Sequence, residues 1–346
     1  MNEHQHQVLL IADFGSQVTQ LIARRFRELN IYCEIHPAQA VDDTMLRRLS
    51  PVAVVLSGGP ASVVAKSFPK LPDSLFELGV PMLGICYGQQ VMARQLGGSV
   101  AADGEHGEYG RTTLKSTGCN DGHPLLRGLF ADGTETVWMS HADRVVALPP
   151  GFVALAESEN APYAIVGDTT RSLFGFQFHP EVYHTPNGSQ FLRNFADLAG
   201  FRRDWTVAAV RDSAIASIQA QVGSGKVICA LSGGVDSCVT ALLLHRAIPG
   251  RTKCVFVDHG LLREGEAEQV VGLFRDNFNM PLIAVDESRR FLRALAGIVD
   301  PERKRRIIGK LFIEVFSEIA REIKSARYLA QGTLYPDVIE SVSVSG

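Results

Sequence analysis

One cysteine of this sequence, Cys86, has the neighbours that a nucleophile needs. It lies in Gly84-Ile85-Cys86-Tyr87-Gly88, between a predicted strand and a predicted helix. The small residues two positions before and after it permit the tight elbow that exposes a nucleophilic side chain. At the start of a helix, the positive end of the macrodipole favours the thiolate, which is the form that attacks an amide carbonyl. The pattern predicts nucleophilic chemistry at Cys86.

A histidine and a glutamate can complete this chemistry. They occur in the segment Phe178-His179-Pro180-Glu181. Residues two apart on an extended segment point to the same side. The Glu181 carboxylate could then bond one imidazole nitrogen and leave the other facing the thiol. The three side chains would serve as nucleophile, base and orienting group, with Cys86, His179 and Glu181 in those roles.

Backbone amides can supply the third part of such a site, an oxyanion hole. Gly58 and Gly59 follow a predicted strand, and without a Cβ their N–H groups can approach a tetrahedral oxyanion. The N–H of Tyr87, directly after the nucleophile, is the natural second donor. We expect Gly59 and Tyr87 to form the oxyanion hole.

The second half of the sequence contains a loop with the composition of an anion site. Between a predicted strand and a predicted helix stand Ser232-Gly233-Gly234-Val235-Asp236-Ser237. The amides of such a loop and the helix dipole attract phosphate. A carboxylate should repel phosphate, and a Mg²⁺ ion between the two would remove the repulsion. The loop therefore predicts phosphate binding, with Asp236 as a Mg²⁺ ligand.

Strands and helices alternate along both halves of the chain, which indicates an α/β fold with two doubly wound domains and mainly parallel sheets. In the first half the predicted strands are 8–11, 31–35, 52–56, 81–85 and 174–178, and the helices are 17–29, 89–96 and 189–198. In the second half the predicted strands are 227–231, 254–258 and 281–285, and the helices are 207–219, 239–247, 266–278 and 304–323. Short β-rich segments fill residues 111–177. The polar stretch 199–205 marks the boundary, giving domains 1–200 and 201–346.

Composition narrows the class of protein. A length of 346 residues suggests two domains, and a net charge of −3 gives no global attraction to nucleic acid or to an anionic membrane. No stretch has the length of a membrane span, and the N-terminus lacks a signal-peptide pattern. The six cysteines include no Cys-x-x-Cys pair, so neither a disulfide framework nor a zinc site is expected. We expect a cytoplasmic protein.

The first-half motifs resemble those of class I glutamine amidotransferases. The resemblance rests on Ser57-Gly58-Gly59-Pro60, on residues 84–90 and on His179-Pro180-Glu181, and it extends over residues 8–198. It implies a flavodoxin-like glutaminase with Cys86, His179 and Glu181 as catalytic residues. Residues 138–143 resemble a segment near the glutamine pocket of these enzymes, with Ala142 where glycine is usual.

The second-half loop resembles that of the N-type ATP pyrophosphatases, which adenylate a substrate oxygen and release pyrophosphate. The resemblance implies an adenine-nucleotide alpha-hydrolase-like fold that takes ATP as a substrate with Mg²⁺. Cys238 stands where serine is common. The implied ATP-binding residues are Ser232, Gly233, Gly234, Val235, Asp236, Ser237 and Cys238.

Three further segments, 256–263, 300–309 and 331–340, resemble the GMP synthase branch. The resemblance implies glutamine, ATP and XMP as small-molecule partners. It also implies a mobile lid whose Arg303, Lys304 and Arg305 approach nucleotide phosphates. Full-length members carry a C-terminal dimerisation domain and form homodimers, and that domain would follow residue 346.

Two alternatives remain at the level of sequence. One is another ATP-dependent glutamine amidotransferase, or a fragment with glutaminase and ATP-binding activity alone. The other is a non-catalytic scaffolding protein on this fold, which the presence of Cys86, His179 and Glu181 together disfavours. An ammonia-release assay separates an enzyme from a scaffold, and pyrophosphate release with XMP separates the enzymes.

Overall fold

The computed structural model of the chain describes residues 6–65, 67–102, 107–118, 122–278, 280–323 and 326–332. The chain forms two compact units, one ending at Thr206 and the other beginning at Val207. In the described residues, no helix combines the length and the apolar character needed to cross a membrane.

The first unit combines a large sheet with helices. Its strands are β1 (Val8–Asp13), β2 (Tyr32–Pro37), β3 (Ala53–Leu56), β4 (Met82–Ile85), β5 (Ser99–Ala102), β6 (Glu108–Ser116), β7 (Thr134–His141), β8 (Asp143–Ala147), β9 (Val153–Glu157), β10 (Ile165–Asp168) and β11 (Leu173–Phe176). Its α-helices are α1 (Thr19–Glu28), α2 (Asp43–Leu49), α3 (Asp73–Phe76), α4 (Tyr87–Gln95) and α5 (Gly188–Leu198).

Nine of these strands form one sheet in the order β2-β1-β3-β4-β11-β10-β9-β6-β7. The five strands from β2 to β11 are parallel, and the remaining pairings are antiparallel. The order of the parallel part is that of a flavodoxin-like sheet. Strands β5 and β8 pair separately. The predicted α/β fold is confirmed for this unit.

Both faces of the parallel part are covered. Along β1, Leu9 and Ile11 pack into one apolar cluster, while Leu10 and Ala12 pack into another. Alternate residues of a strand point to opposite faces, so a strand buried on both sides needs a continuous apolar run. This requirement explains why the segment beginning at Val8 lacks polar alternation.

The first unit continues six residues past the expected boundary at residue 200. Trp205 donates its backbone N–H to the Asn30 carbonyl oxygen at 2.9 Å. Its ring packs edge-on against that of Tyr32, with ring centroids 4.8 Å apart. These contacts attach residues 201–206 to the first unit.

The second unit is a smaller parallel sheet with helices. Its strands are β12 (Lys226–Leu231), β13 (Thr252–Asp258), β14 (Leu282–Asp286) and β15 (Ala326–Ala330), in the order β14-β13-β12-β15. Its α-helices are α6 (Val207–Val222), α7 (Val235–Ala247), α8 (Glu266–Gly272), α9 (Ser288–Leu295) and α10 (Pro301–Glu322). This is the strand order of one half of a doubly wound fold. The predicted α/β class is confirmed here too.

Candidate active site

Cys86 lies on a sharp turn between β4 and α4. Its backbone has φ 50° and ψ −107°, which is a conformation that residues with a side chain rarely adopt. The Cys86 N–H donates to the Phe176 carbonyl oxygen of β11 at 2.7 Å, which anchors the turn to the sheet. Backbone strain of this kind persists only where surrounding contacts over-determine it.

Two glycines make this turn possible. A Cβ on Gly84 would lie 2.6 Å from the backbone nitrogen of Gln89, and a Cβ on Gly88 would collide with the Leu56 carbonyl oxygen. Helix α4 therefore begins in direct backbone contact with β3 and β4. The expected tight elbow around Cys86 thus has a steric basis.

His179 and Glu181 form a buried pair on the turn that follows β11. The His179 Nδ1 and Glu181 Oε1 atoms are 2.7 Å apart. Strand β11 ends at Phe176, so the strand predicted over 174–178 is too long at its end, and His179 and Glu181 meet in the turn beyond it. Thr185 Oγ1 donates to the His179 carbonyl oxygen at 2.7 Å, and Arg25 Nε donates to that of Glu181 at 3.0 Å.

The environment of His179 favours its protonated form. Burial alone lowers the pKa of His179, but hydrogen bonds and charge interactions with Cys86 and Glu181 outweigh burial and raise it from 6.5 to about 10. The imidazole therefore carries both protons at neutral pH. With Nδ1 directed at Glu181, Nε2 is left to face the sulfur.

The sulfur of Cys86 has polar neighbours. The residue is buried, at 7% exposure, so the expectation that the elbow exposes this side chain is wrong. The carbonyl oxygen of Ser140 is 3.6 Å from Sγ, and the Nε2 of Gln177 is 3.8 Å from it. Ser140 lies on β7, within the segment that resembles the glutamine-pocket region. Neither contact was foreseen from sequence.

Gly59 lies on the turn after β3, in contact with Phe14 and Tyr87. Its Cα packs between Phe14 and Tyr87, so a Cβ would lie 2.9 Å from the Phe14 carbonyl oxygen and 3.3 Å from Tyr87 Cδ1. The Ser57 hydroxyl accepts the Phe14 N–H at 3.0 Å and holds this turn. Tyr87 is the first residue of α4, where amides have no partner within the helix. Gly59 thus lies next to Tyr87, the residue that follows the nucleophile, and their role as oxyanion donors stays a prediction.

The parallel sheet brings these groups together. Cys86 follows β4, Ser57 and its glycines follow β3, and Gln177 follows β11. The carboxyl ends of neighbouring parallel strands share one edge of a sheet, where such folds bind ligands.

The loop after β12 has the form of an anion site. Gly233 has φ +81°, which favours glycine, and Gly234 caps helix α7. The Ser237 hydroxyl donates to the Gly234 carbonyl oxygen at 2.9 Å, so it braces the loop. Helix α7 begins at Val235, four residues before the predicted start at 239. Residues Val235 to Cys238 therefore form its first turn, where free amides and the dipole attract anions.

A cavity of about 730 Å³ opens beside this loop. Its floor includes Ser232 and Ser237, and its apolar wall includes Phe312 and Phe316 of α10. Residues that follow β13 and β15, among them His259 and Gln331, complete the lining. The segments 256–263, 300–309 and 331–340 also contribute to this lining, through His259, Gly309 and Gln331 among others. The sequence motifs did not identify the wall formed by Phe312 and Phe316, because the apolar face of a helix is also typical of core packing.

Three expectations for the second unit have different outcomes. Arg303, Lys304 and Arg305 lie in the first turns of α10, and none of them lines the cavity. Arg305 instead pairs with Glu302 at 3.5 Å. Most of the 331–340 motif lies outside the described residues. No group of three metal-binding side chains occurs in the described ranges, and the Asp236 carboxylate has no partner there.

This glycine-flanked thiol with a buried His–Glu pair occurs in a chain that belongs to the class I glutamine amidotransferases. That family matches residues 10–198. The resemblance stated from the motifs of residues 8–198 is confirmed.

The curated relatives share one name. The GMP synthase (glutamine-hydrolyzing) of Dinoroseobacter shibae is 60% identical over 346 residues, which is 100% of this chain and 66% of that protein. The GMP synthase (glutamine-hydrolyzing) of Cereibacter sphaeroides is 58% identical over 342 residues, covering 99% of this chain and 66% of the relative. The chain thus spans 66% of the length of these relatives. The expected similarity to GMP synthases is confirmed.

A solved structure was also matched, a glutamine amidotransferase from Thermotoga maritima. It has 22% identity and a TM-score of 0.41, and the match covers 58% of this chain and 97% of that one.

Proposed function

We propose that the first unit hydrolyses glutamine to glutamate and ammonia at Cys86. One observation carries this proposal: in a class I amidotransferase, a thiol on a strained elbow has the His179–Glu181 pair at its side. A protonated imidazole next to the sulfur would favour a thiolate. The thiolate is the reactive form.

The groups present support a two-stage reaction. The sulfur attacks the side-chain amide carbon of glutamine, and the carbonyl oxygen becomes an oxyanion that the amides of Gly59 and Tyr87 can stabilise. His179 then protonates the leaving nitrogen, ammonia departs, and a thioester forms. Water attacks the thioester while His179 takes a proton from it, which releases glutamate and restores the thiolate beside a protonated His179.

We propose that the second unit binds ATP and activates an acceptor by adenylation, with pyrophosphate as the leaving group. The loop at residues 232–238 suits the phosphates, and the adjoining apolar cavity suits a base. Mg²⁺ normally binds through one or two carboxylates together with substrate phosphates. Asp236, unpartnered in the described residues and beside the loop amides, fits one such ligand. The ion would neutralise phosphate charge.

For the whole protein we propose glutamine-dependent synthesis of GMP from XMP. The shared name of the 58–60% identical relatives supports this acceptor. Ammonia made beside an activated acceptor and shielded from water stays unprotonated and reactive. A free thiol nucleophile also suits the reducing conditions of cytoplasm.

An assay of three products tests the proposal. The 346-residue chain is supplied with glutamine, ATP, Mg²⁺ and XMP, and ammonia, pyrophosphate and GMP are measured. Cys86→Ala should abolish ammonia release and leave ATP binding intact. Ammonia release that persists in Cys86→Ala would refute the glutaminase assignment. Pyrophosphate release that is indifferent to XMP would refute the acceptor.

A further inference from the structure

A second buried polar side chain, that of Gln177, contacts the sulfur of Cys86 in addition to His179. Gln177 Nε2 lies 3.8 Å from Sγ, which is hydrogen-bond range for a sulfur acceptor. Gln177 is only 1% exposed, and its backbone N–H donates to the Ala164 carbonyl oxygen at 2.9 Å. The Gln177 side chain is therefore held in place and shielded from solvent.

The neighbours of Gln177 fix which end of its amide faces the sulfur. The Asp143 carbonyl oxygen can only accept, so the Gln90 atom 2.7 Å from it is the donor Nε2. The same Nε2 lies 3.3 Å from the Gln177 amide, whose near atom is therefore the acceptor Oε1. The other end of Gln177 is then the NH₂ group, and it donates to the sulfur.

His141 and Glu108 hold the far end of this chain of hydrogen bonds. His141 Nδ1 also bonds the Asp143 carbonyl oxygen, at 3.1 Å, and its Nε2 lies 3.3 Å from Glu108 Oε2. Ser158 donates to the same carboxylate oxygen at 2.7 Å. Burial raises the pKa of Glu108, but the bonds from His141 and Ser158 outweigh burial and lower it. Glu108 is thus a carboxylate that accepts from Ser158, and the two ring nitrogens of His141 bridge it to the Asp143 carbonyl oxygen.

The sulfur needs such a donor. The Cys86 thiol donates to the Ser140 carbonyl oxygen at 3.6 Å, and this bond favours the neutral thiol over the thiolate. A hydrogen bond to the charged form of a group favours that form. The N–H of Gln177 therefore offsets the effect of the Ser140 carbonyl oxygen on a thiolate at Cys86.

We propose that Gln177 is a further catalytic residue, whose side-chain N–H donates to the Cys86 thiolate and stabilises it. Gln90, His141 and Glu108 are positioning residues that keep the Gln177 amide in this orientation. The inference rests on the nucleophilic role proposed for Cys86.

The alkylation rate of Cys86 by iodoacetamide, followed over a range of pH by mass spectrometry of its peptide, tests this role without glutamine. In Gln177→Leu the rate at neutral pH should fall roughly ten-fold, as expected for a lost hydrogen bond to a charged group, and the profile should move to higher pH. Glu108→Gln weakens the positioning of the Gln177 amide without removing it, so the alkylation rate at neutral pH should fall only roughly three-fold.

Other titratable groups lie on the elements around the sulfur. Gln177→Leu and Asn194→Leu retain all of them, and Glu108→Gln removes only Glu108. They are Tyr87, Asp143, His141, Glu108, His179 and Glu181. Asn194→Leu is the matched control, because it removes another buried amide whose Nδ2 donates to two carbonyls at 2.9 Å and is not bonded to the sulfur. Its alkylation profile should match that of the unsubstituted chain.

A Gln177→Leu profile that coincides with the control in folded protein would overturn the inference. If Gln177→Leu fails to fold, judged by its melting transition, an unchanged profile in Glu108→Gln overturns it equally. Failure of the proposed glutaminase is a separate result, since it appears as absent ammonia release from the unsubstituted chain.

Discussion

The substitution Glu181→Gln tests how the histidine at the candidate active site is held in its charged form. Glu181 is 0% exposed, and its Oε1 lies 2.7 Å from His179 Nδ1. Glutamine keeps the size and an acceptor oxygen but removes the charge. A hydrogen bond to a charged group contributes about 1.5–3 kcal/mol and a neutral one about 0.5–1.5. Loss of the charge should thus cost about 1.4 kcal/mol, or about one pKa unit.

The assay is ¹⁵N NMR of the labelled histidine ring as a function of pH. The pKa of His179, raised to about 10 against the opposing effect of burial, should fall by about one unit in Glu181→Gln. Glutaminase kcat/KM should fall about ten-fold. Glu34→Gln is the matched control, because it removes the charge of another glutamate that contacts a histidine, with Glu34 Oε2 2.8 Å from His36 Nε2. An unaltered His179 titration would refute the reasoning.

The same substitution changes how stability depends on pH. Burial lowers the pKa of His179, but hydrogen bonds and charge interactions with Cys86 and Glu181 raise it from its usual 6.5 to about 10 in the folded state. Its stabilising contribution is therefore full below pH 6.5 and lost as pH rises through about 10. The difference in unfolding free energy between the unsubstituted chain and Glu181→Gln, measured in urea, should shrink over that window. A difference that grows with pH would contradict this sign.

Two further predictions concern the glycine elbow and the loop of the second unit. Gly88→Ala should lower the free energy of unfolding, measured in urea, by about 3 kcal/mol, because the added Cβ meets the Leu56 carbonyl oxygen. Gly118→Ala is the control and should be nearly neutral, because a Cβ there has nothing within 4 Å. Equal losses of stability in the two variants would contradict the steric explanation. Asp236→Asn should weaken ATP binding about ten-fold with Mg²⁺ present and little without it, measured by calorimetry; equal weakening in both conditions would exclude Asp236 as a metal ligand.

Much of the fold is predictable from local patterns. The continuous apolar runs at residues 8–11, 52–56 and 81–85 correspond to β1, β3 and β4, since strands buried on both faces tolerate no polar alternation. The elbow at Cys86 is predictable because glycines two positions before and after a residue between a strand and a helix permit a tight turn.

Other features depend on contacts that sequence spacing does not encode. Within the helix predicted over 266–278, the α-helical part ends at Gly272 and a π-helical turn covers 273–277. Helix α9 was not predicted. The Glu108–His141 pair joins residues that face each other across β6 and β7. Glu108 and His141 contact each other because of the register of β6 and β7, so a short sequence motif does not predict this contact.

The most direct test of the central claim is to trap the covalent intermediate on Cys86. The chain is mixed with glutamine, quenched rapidly in acid and digested, and the peptide that contains Cys86 is weighed by mass spectrometry. We predict a glutamyl thioester on Cys86 that is absent from Cys86→Ala. Ammonia production without any adduct on this cysteine, or with the adduct elsewhere, would contradict the account.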